Sequence, residues 1–274
     1  GLGYKVFNNL SVGANFSYLY GDITHQSMTT IGATDTRSIK LDKFSISDYK
    51  LDFGLQYTYK LNKKNTINIG AVYTLGRTLH GDAYKYHQTG AESNGSIYVQ
   101  SQTGDTIPNP FKMPHTFGIG LTYVYDNRLT IGVDYTLQKW NTADLAWSKF
   151  NKESVEMNSR TKIAFGAEFV PSYISHNYLK RIRYRMGAYY SSPYNKVSYT
   201  SPDTGTTSFQ DGAREYGVSI GFGLPMFQSK SMLNISGQYI KVSPKFKGLM
   251  EENYLRINIG LTFNERWFMK WKVD

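Results

Sequence analysis

The chain has 274 residues, among them 23 Tyr, 15 Phe and 8 Pro but no cysteine, and a formal charge of +10 from 31 basic and 21 acidic residues. Without cysteine there is neither a disulfide framework nor a Cys-ligated metal site, and no run of about 18 apolar residues exists to form a transmembrane helix. The basic excess is scattered, its densest cluster being the short YLKRIRYR at 178–185, and so diffuse a footprint argues against nucleic acid as a partner.

The first residues, GLGYKVFNNL, lack the charged-then-apolar layout of a signal peptide. Read for period two, they begin a series of strands. A first strand at 2–7 meets a turn at Asn8 and Asn9, and 10–24 follows with Leu10, Val12, Ala14, Phe16 and Tyr18 on one face. Strand 38–60 carries Leu51, Phe53, Leu55, Tyr57 and Tyr59 on one face; beyond the NKKN turn (62–65), strand 66–80 carries Ile67, Ile69, Ala71, Tyr73 and Leu75. Strands 114–125 and 129–140 set Phe117, Ile119, Leu121, Tyr123 and Tyr125, then Leu129, Ile131, Val133, Tyr135 and Leu137, against Gly, Thr, Asp and Gln. The turn between them needs three residues, Asp126 to Arg128, with Asn127 suited to the left-handed region. Strands 160–170, 181–191, 212–223, 231–242 and 252–263 complete a set of eleven. The long connections, roughly 21–50, 87–112, 141–158, 191–208 and 241–251, are rich in Gly, Ser, Thr, Asn and Lys, and much of their length suits continued strand. Segment 144–157 is expected to hold a short helix.

One signature recurs within these strands: Gly, two residues, then an aromatic, as at Gly13/Phe16, Gly54/Tyr57, Gly70/Tyr73, Gly120/Tyr123, Gly132/Tyr135, Gly166/Phe169, Gly187/Tyr190 and Gly260/Phe263. An offset of three puts the glycine and the aromatic on opposite faces of a strand. A soluble sandwich would make the apolar face a core and crowd the other with Lys, Glu and Thr. Here the other face carries Gly and mixed charges, and aromatics gather beside the short turns. That is the pattern of an all-β transmembrane antiparallel β-barrel, with an apolar outer band, aromatic girdles and a polar lumen. The short turns are assigned to the periplasm and the long loops to the exterior of a bacterial outer membrane. Eleven strands with the first starting outside break the even-number rule of single-chain barrels. Residues 1–274 are therefore expected to form the C-terminal portion of a single larger barrel domain.

MPHTFGIGLTYVYDNRLTIGVDYTLQKW (113–140) resembles a segment of the FadL/TodX-type long-chain fatty-acid and hydrocarbon transporters, in which a Met-Pro pair (Met113, Pro114) opens a strand and the next strand carries a Tyr (Tyr135) and ends at Trp (Trp140). GLGYKVFNNLSVGANFSYLYGD (1–22) resembles an earlier hairpin of that family, and NYLRINIGLTFNERWFMKWKVD (253–274) is similar to closing strands of Bacteroidetes members. The resemblance implies a 14-stranded barrel with an N-terminal hatch, of which the hatch and about three strands are absent here. It also implies passage of a small hydrophobic ligand such as a long-chain fatty acid, with outer-membrane lipid and lipopolysaccharide as surroundings. The basic tail, running past the last strand, departs from the family. A barrel of this kind acting as a scaffold in an outer-membrane secretion or assembly complex is the alternative.

Chemistry is sparse. The five histidines, His25, His80, His87, His115 and His176, form no ligand pair, so neither a metal nor another cofactor is expected. No G-x-S-x-G elbow is present, and no catalytic residue is assigned. Parity points Asp134, Lys162, Glu168, Arg183, Arg185 and Arg256 into the lumen. Either these charges neutralise one another, as enclosed charges normally do, or Arg183 or Arg185 grips a ligand carboxylate with two parallel hydrogen bonds.

Overall fold

A computed structural model describes residues 1–31, 36–93, 96–142, 156–200, 207–226, 231–244 and 250–263. Its strands are β1 (Leu2–Lys5), β2 (Leu10–Ile31), β3 (Thr36–Lys60), β4 (Asn65–Thr74), β5 (Arg77–Thr78), β6 (Gly81–Ser93), β7 (Ser96–Pro108), β8 (Lys112–Met113) and β9 (Thr116–Tyr125). They continue with β10 (Leu129–Gln138), β11 (Arg160–Phe169), β12 (Arg183–Ser191), β13 (Lys196–Thr200), β14 (Thr207–Asp211), β15 (Ala213–Pro225), β16 (Met232–Pro244) and β17 (Glu252–Thr262). One antiparallel sheet runs β1-β2-β3-β4-β9-β10-β11-β12-β15-β16-β17. These are the eleven expected strands in sequence order. Among the described residues, β1 pairs only with β2 and β17 only with β16.

The period-two pattern decides the two faces. Val133 stands opposite Leu121 and Phe165, and Ile220 opposite Met186, so apolar side chains from successive strands line up on the outer face. They are open: Val133 is 43 % exposed and Ile259 73 %. Among the described residues only Leu79, Ala83, Val170, Ile182 and Ile240 form a buried apolar set. The accessible surface is 19213 Å², against roughly 12,000 Å² for a soluble globular chain of this mass. So much exposed apolar area suits hydrocarbon as the solvent, where a strand ladder satisfies every backbone group internally.

β2 and β3, of 22 and 25 residues, run well past the wall. The lower part of β3 pairs with β4 from Asp52 to Lys60; its upper part pairs with β6 from Thr36 to Ile46, and β7 pairs with β6. A four-stranded blade, β2-β3-β6-β7, therefore rises at the long-loop end. The expected loop at 87–112 is largely the outer part of this hairpin. The expected strand 66–80 breaks at Leu75–Gly76, where the crossing chain comes so close that a Cβ on Gly76 would lie 2.4 Å from the His115 nitrogen. β5 then pairs with β8 instead of prolonging β4.

Three smaller expectations are corrected. The turn at Asp126–Arg128 has positive φ at both Asp126 (49°) and Asn127 (53°), not at Asn127 alone. Strand 181–191 begins only at Arg183, because residues 178–181 form a helical turn, α1 (Tyr178–Arg181), capped by the Asn177 side chain, which accepts from Leu179 N. Strand 129–140 stops at Gln138, and Trp140 opens a 3-10 turn. The helix expected within 144–157 and the basic tail lie almost wholly outside the described residues.

Candidate functional site

The inner face of the wall is the candidate site. Register sets Thr130, Glu168, Arg185, Gly221, Ser236 and Asn258 side by side across six strands. Glu168 accepts from Arg185 Nε at 2.7 Å and from Arg183 at 3.1 Å, while Arg185 donates onward to Asn234 Oδ1 at 2.8 Å. Glycines make room for the guanidinium groups: Gly223 faces Arg183 and Gly221 faces Arg185. A Cβ on Gly223 would meet Arg183 Cβ at 3.1 Å. Four residues along β12 from Arg185, at the level of Asp134, Tyr189 donates to Glu215 and the Lys162 ammonium lies 4.6 Å from the Tyr189 ring centre.

The six lumen charges read from parity therefore split. Glu168, Arg183 and Arg185 converge. Asp134 lies four residues along the ladder from the level of Glu168, roughly 14 Å away at strand rise, where its carboxylate covers Gly120. Arg256 stands on the edge strand β17, opposite Gln238. On the other flank of the sheet the inner face is small and uncharged at the level of Gly54, with the Lys50–Asp52 ion pair two residues further along β3. Gly3, Gly13 and Gly54 stand opposite one another, and a Cβ on Gly3 or Gly54 would meet nothing within 4 Å. An open concavity of about 550 Å³ lies over this flank, bounded by Gln56, Asn68, Thr122 and Asp134.

The resemblance residues are architectural. Met113 ends β8 opposite Arg77, and Pro114 is buried in the corner that leads to β9. Tyr135 faces outward between Ile119 and Ile163. The Trp140 indole donates to Gln138 Oε1 at 3.1 Å and packs on Tyr194.

Sequence reasoning missed one polar cluster, at the level where β3 exchanges β4 for β6. Asp48, buried, accepts from the backbone nitrogens of Tyr49 and His80, both at 2.7 Å, and from the His80 ring at 3.1 Å. Arg77 stands 3.3 Å away and stacks on the Tyr49 ring at 3.9 Å. Burial pushes the Asp48 carboxyl up, but the hydrogen bonds from His80 and Tyr49 and the Arg77 charge outweigh it and hold it below its ordinary value. No sequence signal marks Asp48 beyond a polar residue in a strand. Among the described residues no three His, Asp or Glu side chains group as metal ligands would.

Known structures share this architecture at low identity. The CymD monoaromatic hydrocarbon channel is 14 % identical with a TM-score of 0.53, over 97 % of this chain and 72 % of that one. A FadL homologue of Pseudomonas aeruginosa is 13 % identical with a TM-score of 0.53, over 89 % and 58 %. The P. putida toluene transporter TodX is 13 % identical with a TM-score of 0.51, over 96 % and 68 %. The chain thus spans between about three fifths and three quarters of these channels, shares the FadL-type fold, and has channels rather than enzymes as its structural neighbours. No curated protein of similar sequence was found. A family model, BamG, matches residues 1–274, and the chain belongs to the BamG family.

Proposed function

We propose that this chain is an outer-membrane FadL-type barrel that works as a non-transporting scaffold subunit of a secretion or assembly complex. The observation that carries this reading is the inner wall. Glu168, Arg183 and Arg185 are committed to one another, Lys50 pairs with Asp52, and between the charges the surface is largely Gly, Ser, Thr, Asn and Gln, with few apolar side chains. A hydrocarbon conduit needs a mostly apolar lining with a few placed polar groups. Membership of the BamG family fits a role among partner proteins.

In this reading the short turns face the periplasm and the blade rises from the cell surface. Among the described residues the outer edges of β1 and β17 are unpaired, which would leave backbone groups facing hydrocarbon at several kcal/mol each; pairing with strands of a larger barrel would remove that cost. Purification from native membranes is expected to yield a stable complex, and proteoliposomes of the full protein are expected to take up labelled long-chain fatty acid no faster than empty ones. Saturable uptake by a protein without partners would overturn it. That result would favour the second reading, a channel for small hydrophobic molecules, which the fold of CymD and TodX and the 550 Å³ concavity support.

A further inference from the structure

Three neighbouring turns build one continuous platform at the short-turn end. The β3–β4 turn (61–64) is locked by Asn62, whose Oδ1 accepts from Lys64 N and Asn65 N, both at 2.9 Å. Lys64 O accepts from Asp126 N at 2.7 Å, which joins this turn to the β9–β10 turn. Arg128 O accepts from Val170 N at 2.7 Å, and the Tyr173 hydroxyl donates to Asn127 O, which joins the connection 170–182. The platform carries Lys60, Lys63, Lys64, Arg128, Lys180 and Arg181 against the single acid Asp126. Among the described residues, Lys60, Lys63, Lys64 and Lys180 have no carboxylate within ion-pair reach. At the long-loop end some cations are paired, Lys196 with Glu156, Lys241 with Glu251 and Arg77 with Asp48.

Two observations place this charge at the level of lipid headgroups. Just inside the platform, the outward tyrosines Tyr57, Tyr59 and Tyr125 form the collar that aromatic side chains make where hydrocarbon gives way to water. Second, α1 is held on the outer side of the wall, because the lipid-facing Tyr184 donates its hydroxyl to Leu179 O at 3.0 Å. Leu179, 61 % exposed, and Ile174, 92 % exposed, then offer apolar side chains beside Lys180. Apolar anchors flanked by lysines are the makeup of a segment lying in a membrane interface. A soluble acidic partner would account for the charge, but not for an exposed leucine held beside the lipid-facing wall.

We infer that the short-turn rim is a binding surface for anionic phospholipid: Leu179 and Ile174 sit at the acyl boundary, and the lysines of the platform contact headgroup phosphates. This inference rests on the membrane-barrel reading. Its test is lipid retention by the full protein, transferred from vesicles holding equal phosphatidylglycerol and phosphatidylcholine and read by native mass spectrometry. The wild-type protein is expected to enrich phosphatidylglycerol. The Lys63→Glu/Lys64→Glu/Lys180→Glu variant is expected to lose roughly tenfold or more of that enrichment, since each basic group near the surface counts for about fivefold. The milder Lys→Gln triple variant should fall between. Lys112→Glu/Lys139→Glu/Lys196→Glu, at the opposite end, should retain the enrichment. Equal retention of the two lipids by the wild type, undiminished enrichment in the rim variants, or equal loss in the opposite-end variant would overturn the inference. Failure of the wild type to insert into vesicles at all would overturn the membrane reading, and this inference with it.

Discussion

Strands β2 and β3 pass through two regions that treat the same residues differently. In the wall, alternation is strict, with Val12, Leu55 and Phe53 outward and Ser11, Gly13 and Gly54 inward. In the blade both faces mix polar and apolar groups: Lys40, Asp42 and Phe44 on one side of β3, Ile39, Leu41 and Lys43 on the other. A wall strand sees hydrocarbon on one face, so a one-residue slip would invert every side chain and register is enforced by solvent. A blade strand has water on both faces, and its register depends on pairing and on the junction with the wall. The lesson is that one ladder can be held by two different forces along its length.

The sharpest way to break that comparison is to place a charge on each side of the boundary. Val133→Arg, on the lipid face of the wall, is expected to cost about 2–4 kcal/mol of folding free energy in liposomes. Asp134→Arg, one residue on, and Thr24→Arg in the blade should each cost far less. Equal losses from Val133→Arg and Asp134→Arg would abolish the assignment of faces.

The junction comes next. Gly81 opens β6, and a Cβ there would lie 2.1 Å from Ser45 O, so Gly81→Ala is expected to cost about 1–3 kcal/mol through forced backbone movement. Asp48→Ala removes the acceptor shared by His80 and Tyr49 and should cost a comparable amount, about 1–3 kcal/mol. Its signature should be local: hydrogen exchange should quicken in β6 and β7 but not in β10 and β11. Because the folded Asp48 carboxyl lies below its ordinary value, its contribution is complete above about pH 4, the unfolded value. It is lost as pH falls further, through the lowered folded value. Blade protection should therefore fall in acid before that of the wall, and Asp48→Asn should remove this dependence.

The smallest effect is expected deep in the wall. A Cβ on Gly166 would meet nothing within 4 Å, so Gly166→Ala should shift stability by less than about 0.5 kcal/mol. Heat-modifiability on gels, compared with Gly81→Ala, would measure the contrast. A large loss at Gly166 would mean that something packs against the inner face there.

The wall was legible because period two is a local signal repeated along the chain: most outward residues from Leu10 to Leu261 on the main path are apolar or aromatic, with Gly237, Lys241 and Asn253 as exceptions. The eight Gly-aromatic pairs marked the same faces. Legibility failed where pairing is non-local. Nothing near residue 48 says that β3 will leave β4 for β6, and the break at Gly76 lies against His115, 39 positions away. Parity put Glu168, Arg183 and Arg185 on the inner face but could not show that one carboxylate takes both guanidinium groups, which depends on rotamers. The helix at Tyr178–Arg181 did have a signal, Asn177 as cap, hidden within a basic run.

Gly21, in β2, has φ of +152°, a backbone shape side-chain-bearing residues rarely adopt, and it stands opposite Ile46. That is the level at which β3 changes partners. Strands of 22 and 25 residues would otherwise behave as stiff struts, carrying any sideways push at their tips straight into the bilayer. With a glycine in one strut and a change of neighbours in the other at one height, the blade parts from the wall at a single level.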